Sequence, residues 1–137
     1  MFSKILVPID GSPHADRAIR YAADLSRRYG SKLILLHIVP IRVYAFAEVG
    51  VVPSEDVGEG EEILKRGVEL VRSLGLEADT RLGRGIPAEE ILKVAEEEKA
   101  DLIAIGSRGL SGVKAFLLGS VSDKVSHHAK CPVLIVR

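Results

Sequence analysis

The chain contains no asparagine, no glutamine and no tryptophan. Glutamate, lysine and arginine are plentiful by contrast, and loss of heat-labile amides beside charge enrichment is a hyperthermophile trend. A source organism that grows hot is therefore expected. The single cysteine, Cys131, has no partner for an intramolecular disulfide and excludes a multi-cysteine zinc site. Between Lys130 and Pro132 it reads as a packed, inert thiol. The apolar runs at 5–9, 33–39 and 102–105 fall far short of the roughly 20 residues that span a bilayer. Neither sign of charge dominates: 19 Lys and Arg balance 19 Asp and Glu. Nothing global then draws the chain to nucleic acid or to a membrane. Met1-Phe2-Ser3-Lys4 runs directly into the first strand and leaves no room for a signal peptide, so a cytoplasmic location is expected.

What is present is enough for one core. A length of 137 residues with 47% hydrophobic content fits a single domain, taken as 1–137. Residues 4–9 form a nearly continuous apolar run, the mark of a strand buried on both faces. Ser12 then reads as a helix N-cap with Pro13 at the first helical position. Ala15, Ala18, Ile19, Ala22, Ser26 and Tyr29 follow at helical spacing until Gly30 stops the run. Residues 32–39 are the second strand. Ile63, Gly67, Leu70, Val71 and Leu74 share one face of a second helix, which Gly75 ends. Residues 76–82 alternate charged and apolar positions, as an edge strand does. Pro87 opens a third helix with Ala88, Ile91, Leu92 and Ala95 inward, and Glu96, Glu97 and Glu98 read as its solvated face. Strand four is 101–105, a fourth helix begins near Ser120, and strand five is 132–136. The alternation predicts an α/β fold: a doubly wound, five-stranded parallel sheet with helices on both faces, in the order 3-2-1-4-5. In such sheets ligands bind beyond the carboxyl ends of the strands, where the strand order reverses. That rule sets Asp10, after strand one, beside Gly106, at the end of strand four.

The chemistry concentrates there. Gly106-Ser107-Arg108-Gly109 ends a buried strand, and nine residues separate Gly109 from Gly119-Ser120 at the head of a helix. Glycines admit a ligand close to the backbone, and a helix N-terminus presents N–H groups and partial positive charge. The pair makes an anion cradle suited to nucleotide phosphate. No Gly-x4-Gly-Lys-Ser/Thr occurs, so the chain is not a P-loop NTPase, and Gly83-Arg84-Gly85 fails as a dinucleotide-binding turn because Pro87 and Ala88 follow. The segment 40–60, with Val43, Tyr44, Phe46 and Val49, has no clear period. It reads as a lid, a partner surface or an extension of the second helix.

Taken together, Ile5-Leu6-Val7-Pro8-Ile9-Asp10-Gly11-Ser12, Leu36-His37-Ile38-Val39, the Gly106/Gly109/Gly119-Ser120 spacing and Cys131-Pro132-Val133-Leu134-Ile135-Val136 resemble the universal stress protein family. The resemblance spans the chain apart from 40–60. It implies an adenine-nucleotide-binding, stress-response protein, usually homodimeric, of the ATP-binding type and binding ATP with Mg2+. Carried over, Pro8 and Asp10 lie near adenine and ribose, Ile38 lines the adenine pocket, and Ile105 flanks it. Gly106, Arg108 and Gly109 follow the sugar and phosphates. Gly119, Ser120, Val121 and Ser122 hold phosphates through amides and hydroxyls.

Each assignment has a plainer reading. Asp10 either orders the turn before the first helix or meets ribose hydroxyls or a nearby Mg2+. Ser120 with Asp123 resembles a capping box. Arg108 is either a surface arginine or a phosphate partner; Lys114 and Lys124 default to solvated lysines. Pro8, Ile38 and Ile105 would be core residues in any such sheet. His37 reads as a hydrogen-bonded core residue, His127-His128 suit the end of a helix dipole, and His14 is expected to be exposed. No protein-chelated metal is expected from the histidines. Three functions remain open: a regulatory ATP-binding module without dedicated turnover, a slow ATPase taking a base such as Glu48 or Glu55 from 40–60, and a dimeric interaction protein in which nucleotide is incidental. Strand five, as an edge, is expected to pair with a second copy.

Overall fold

The computed structural model describes residues 1–41, 55–109 and 118–137. Most of the 40–60 segment, Glu48 and Lys114 lie outside the described residues, and of Glu55 only the backbone is described. Strands and helices alternate: β1 (Lys4–Pro8), α1 (Pro13–Tyr29), β2 (Lys32–Pro40), α2 (Glu55–Ser73), β3 (Ala78–Gly85), α3 (Pro87–Glu97), β4 (Leu102–Gly106), α4 (Ser120–His128) and β5 (Val133–Val136). The strands form one five-stranded parallel sheet in the order β3-β2-β1-β4-β5.

Alternation along the central strands builds two cores. Ile5, Val7, Leu33, Leu35, Leu102 and Ala104 pack with Ala15, Ala18, Ile19 and Ala22 of α1 and with Ile63, Leu64 and Val71 of α2. Leu6, Ile34, Leu36, Ile38, Ile103 and Ile105 pack on the other face with Ala88, Ile91, Val94 and Ala95 of α3 and Val125 of α4. Successive residues point to opposite faces, so strands covered on both sides must be apolar throughout. At the amino end of the sheet, the Asp101 carboxylate accepts hydrogen bonds from the Ser3 and Lys4 N–H groups at 2.8 and 3.0 Å. This clasps the entry to β1 against the entry to β4.

Local signals set the ends of α1. The Ser12 hydroxyl accepts the Ala15 N–H at 3.2 Å, Pro13 follows the cap, and Gly30 closes the helix in the left-handed region at φ 66°. Tyr29, the last residue of the helical spacing, is 46% exposed and meets Phe2 edge-on with ring centroids 5.5 Å apart. The third strand begins at Ala78, not at 76. Gly75 adopts φ 80° and the Leu76 N–H donates to the Val71 carbonyl at 3.2 Å. Leu76 thus belongs to the close of α2. The same strand runs on to Gly85 because it pairs with the full remaining length of β2, Pro40 opposite Gly85. Glu96, Glu97 and Glu98 are exposed or partly so, as expected, yet they are paired: Lys130 with Glu96, and Arg81 with both Glu97 and Glu98.

One proline shapes the centre of the sheet. The Ile9 N–H donates to the Leu36 carbonyl of β2 at 2.8 Å. By strand alternation the backbone of Pro8 then faces β4, and proline has no N–H to donate. The β1–β4 register runs only through Ile5 opposite Leu102 and Leu6 opposite Ile103. Beyond that point the two central strands part.

Candidate functional site

A cleft of about 390 Å³ opens where β1 and β4 part, at the carboxyl ends of the strands. Its size lies within the range of small-molecule sites. Every candidate residue read from the sequence borders it: Pro8, Asp10, Ile38, Ile105, Gly106, Arg108, Gly109, Gly119, Ser120, Val121 and Ser122. Pro8, Ile38 and Ile105, with Leu36 and Ile91, make the apolar wall. The glycine loop, Asp10 and the head of α4 make the polar one. Sequence reasoning missed Glu59 and Ile63 of α2, Pro87 and Ile91 of α3, and His37 and Pro40 of β2, which also border the cleft. Ile91 was already assigned an inward face; nothing in the spacing marked Glu59.

Asp10 meets the plainer of its two readings, and it also borders the cleft. Its Oδ1 accepts the Ser12 N–H at 2.9 Å and so orders the turn into α1. Its Oδ2 lies against Gly109, where any β-carbon would collide with it. A side chain at 109 would therefore require the Asp10 carboxylate to shift from its place beside the loop.

The capping box is not formed. Gly119 is the N-cap of α4, Ser120 is the first helical residue, and no side chain caps the helix. The box requires Ser120 one position earlier, and the Asp123 N–H instead donates to the Gly119 carbonyl at 2.9 Å. The Ser122 hydroxyl turns back to the Ser107 carbonyl at 2.9 Å and to Gly119 at 3.0 Å. The Gly119 N–H also donates to the Ser107 carbonyl, at 2.7 Å. Ser107 is the point at which the glycine loop and α4 are joined.

His14 is the clearest correction. It was expected to be exposed, but it is buried beneath the loop. Its Nδ1 is 3.2 Å from the Ser107 hydroxyl and its Nε2 is 2.8 Å from the Arg108 guanidinium. Arginine can only donate, so Nε2 accepts and the neutral ring carries its proton on Nδ1, toward Ser107. Burial holds its pKa below the ordinary 6.5; Arg108 and Arg17 add repulsion, partly offset by the Val136 carbonyl and Asp10. An unfolded chain takes up this proton near pH 6.5 while the folded one resists it, so stability is fully present above that pH and falls as pH drops below it. Denaturant midpoints are expected to fall from pH 7.5 to 5.5, and to fall less in His14→Gln. Equal slopes in the two proteins would remove His14 as a cause.

Of the other side chains, His37 keeps its expected hydrogen bond but is half-buried at the cleft and not in the core, and the rest match their plain readings. The His37 Nδ1 is 2.7 Å from the Ile9 carbonyl, which fixes the strand end beside the cleft. Lys124 is exposed and lies 3.4 Å from Glu89, and His127 lies 3.3 Å from Asp123 in the last turn of α4. Burial pushes the Cys131 thiol up, away from the reactive thiolate. Among the described residues no group of three or more His, Cys, Asp or Glu is placed to hold a metal ion, and no helix is long and apolar enough to cross a membrane.

An open parallel α/β sheet with a cleft at its strand reversal, bordered by a glycine loop and a helix head, is a domain of the doubly wound class. The chain belongs to the universal stress protein family, whose sequence model matches residues 1–137. It is 38% identical over 148 aligned residues to the universal stress protein YxiE of Bacillus subtilis, covering 100% of both chains. The universal stress protein of Archaeoglobus fulgidus in complex with dAMP superposes with a TM-score of 0.80 at 29% identity, covering 98% of each chain. A universal stress protein in complex with cAMP superposes with a TM-score of 0.78 at 28% identity, covering 99% of this chain and 97% of that one.

Proposed function

We propose that this protein is an adenine-nucleotide-binding regulatory protein of the stress response, taking ATP with Mg2+ at the cleft between β1 and β4. The observation that carries the reading is the cleft's two-sided lining. Ile38, Ile105 and Pro8 offer an apolar wall for a base, while Arg108, Gly109 and the uncapped head of α4 offer amides to phosphate. The dAMP and cAMP complexes of relatives support adenine as the base. In this reading Asp10 meets the ribose through Oδ2, and Arg108, Gly119, Ser120, Val121 and Ser122 serve the phosphates.

Small molecules released from gently purified, denatured protein should include ATP by mass spectrometry. Calorimetric titration with ATP, ADP, AMP and cAMP should then rank them. Gly109→Val, which drives a side chain into Asp10, should weaken ATP by at least about tenfold through lost shape and a displaced loop. Failure of the wild-type protein to bind any of the four would reject the reading.

The protein is read as holding ATP without dedicated turnover. Glu59 favours one alternative, slow hydrolysis, because it brings a carboxylate of α2 to the cleft. Turnover on the order of 1 s⁻¹, abolished by Glu59→Gln, would replace the passive reading. A homodimer through β5 belongs to the same proposal: β5 is an edge strand whose Val133, Leu134 and Ile135 are only partly buried. Sedimentation should report a dimer, and a monomer at all concentrations would count against it.

A further inference from the structure

Neither His14 nor Ser107 borders the cleft, yet between them they hold the parts that do. The Ser107 hydroxyl meets His14, its carbonyl receives the Gly119 N–H and the Ser122 hydroxyl, and its own N–H donates to the Val136 carbonyl at 2.7 Å. His14 adds the 2.8 Å bond from Arg108. One imidazole thus ties the first turn of α1 to the arginine of the glycine loop and, through Ser107, to the head of α4. A flexible arginine loses side-chain entropy on meeting an anion, and a preset hydrogen bond lowers that cost.

We infer that His14 is a positioning residue of the nucleotide site: through Arg108 and Ser107 it sets the phosphate-facing loop and so governs affinity for phosphorylated ligands it does not touch. The inference rests on the nucleotide reading above. It assigns His14 a role that grows with ligand phosphate, because the atoms it orders lie on the polar wall and not the apolar one. Its neutral, Nε2-accepting state is part of the device, since a ring protonated at Nε2 has no lone pair for Arg108.

The test is calorimetric titration of adenosine and ATP at pH 7.5 against the wild-type protein, His14→Phe, His14→Gln, Arg108→Met and the His14→Phe/Arg108→Met double variant. His14→Phe should weaken ATP about tenfold, the scale of one hydrogen bond to a charged group, and adenosine by less than about twofold. The glutamine amide can accept from Arg108 and donate to Ser107, so His14→Gln should recover ATP binding to within about threefold of wild type. With Arg108 already replaced, His14→Phe should add little, because coupled residues are not additive. Should His14→Phe fail to fold, His14→Asn, too short to reach Arg108, takes its place. Equal losses for adenosine and ATP, full additivity in the double variant, or no recovery with glutamine would overturn the positioning role while leaving nucleotide binding intact. A wild-type protein that binds neither ligand would instead reject the nucleotide reading, and this inference with it.

Discussion

Gly106→Ala is expected to destabilise the protein by about 2–3 kcal/mol, the usual cost of forcing a methyl group into filled space. A β-carbon there would lie 2.8 Å from His14 Cβ, 2.9 Å from its carbonyl carbon and 3.0 Å from its carbonyl oxygen. Two of those atoms are backbone, so no rotamer change relieves the contact. Relief requires α1 to move, and α1 is held by fully buried Ala18 and Ala22 and nearly buried Ile19 against the sheet. The contrast is Gly67, whose added β-carbon would meet only the ends of Ile9, Leu35 and Ile19 side chains. Gly67→Ala should cost far less, since those ends can shift and alanine favours a helix by about 1 kcal/mol. For a chain of this size, the Gly106 change should lower Tm by roughly 6–12 °C. Scanning calorimetry of both variants checks the pair. Equal midpoints would show that β4 and α1 do not meet as closely as described.

Ile103→Ala should cost more, about 3–4 kcal/mol, within the range for truncating a buried isoleucine. Ile103 is wholly buried at the centre of the core beneath α3 and α4. It stands opposite Leu6 on one side and Val133 on the other, so two strand pairings frame the cavity it would leave. The surrounding sheet is pinned from both sides and can collapse only partly, which keeps the cavity term large. Ile135→Ala, on the half-buried edge strand, should cost much less. Urea unfolding should show a lower midpoint with an unchanged slope for Ile103→Ala. A midpoint within error of wild type would contradict the packing of that core.

Much of this was legible in the sequence because the causes are local. Ser12-Pro13 and Gly30 bound α1 through a cap, a fixed φ and a left-handed turn, all within a few residues. Apolar runs gave the buried strands, and the reversal at β1 and β4 gathered Asp10 and the glycine loop. What escaped depends on distant parts of the chain. His14 is buried by a loop more than ninety positions away in the sequence; its one local signal is its four-residue spacing from Ala18, Ala22 and Ser26 on the buried face of α1. Leu76 looked like strand because its apolar character served a helix close. Ser120 looked like a cap because the box pattern cannot say which residue the chain turns at. Glu59 reaches the cleft only through the packing of α2 over β2.

Pro8 carries a kinetic consequence. A gap between two strands that could otherwise pair must be reopened each time a ligand arrives, and the fraction of molecules found open taxes the rate of capture. Here the missing N–H faces β4 permanently, so the vacant strand end has no ladder to zip shut. On the nucleotide reading proposed above, re-pairing of β1 with β4 is therefore not a step that an arriving ligand has to undo.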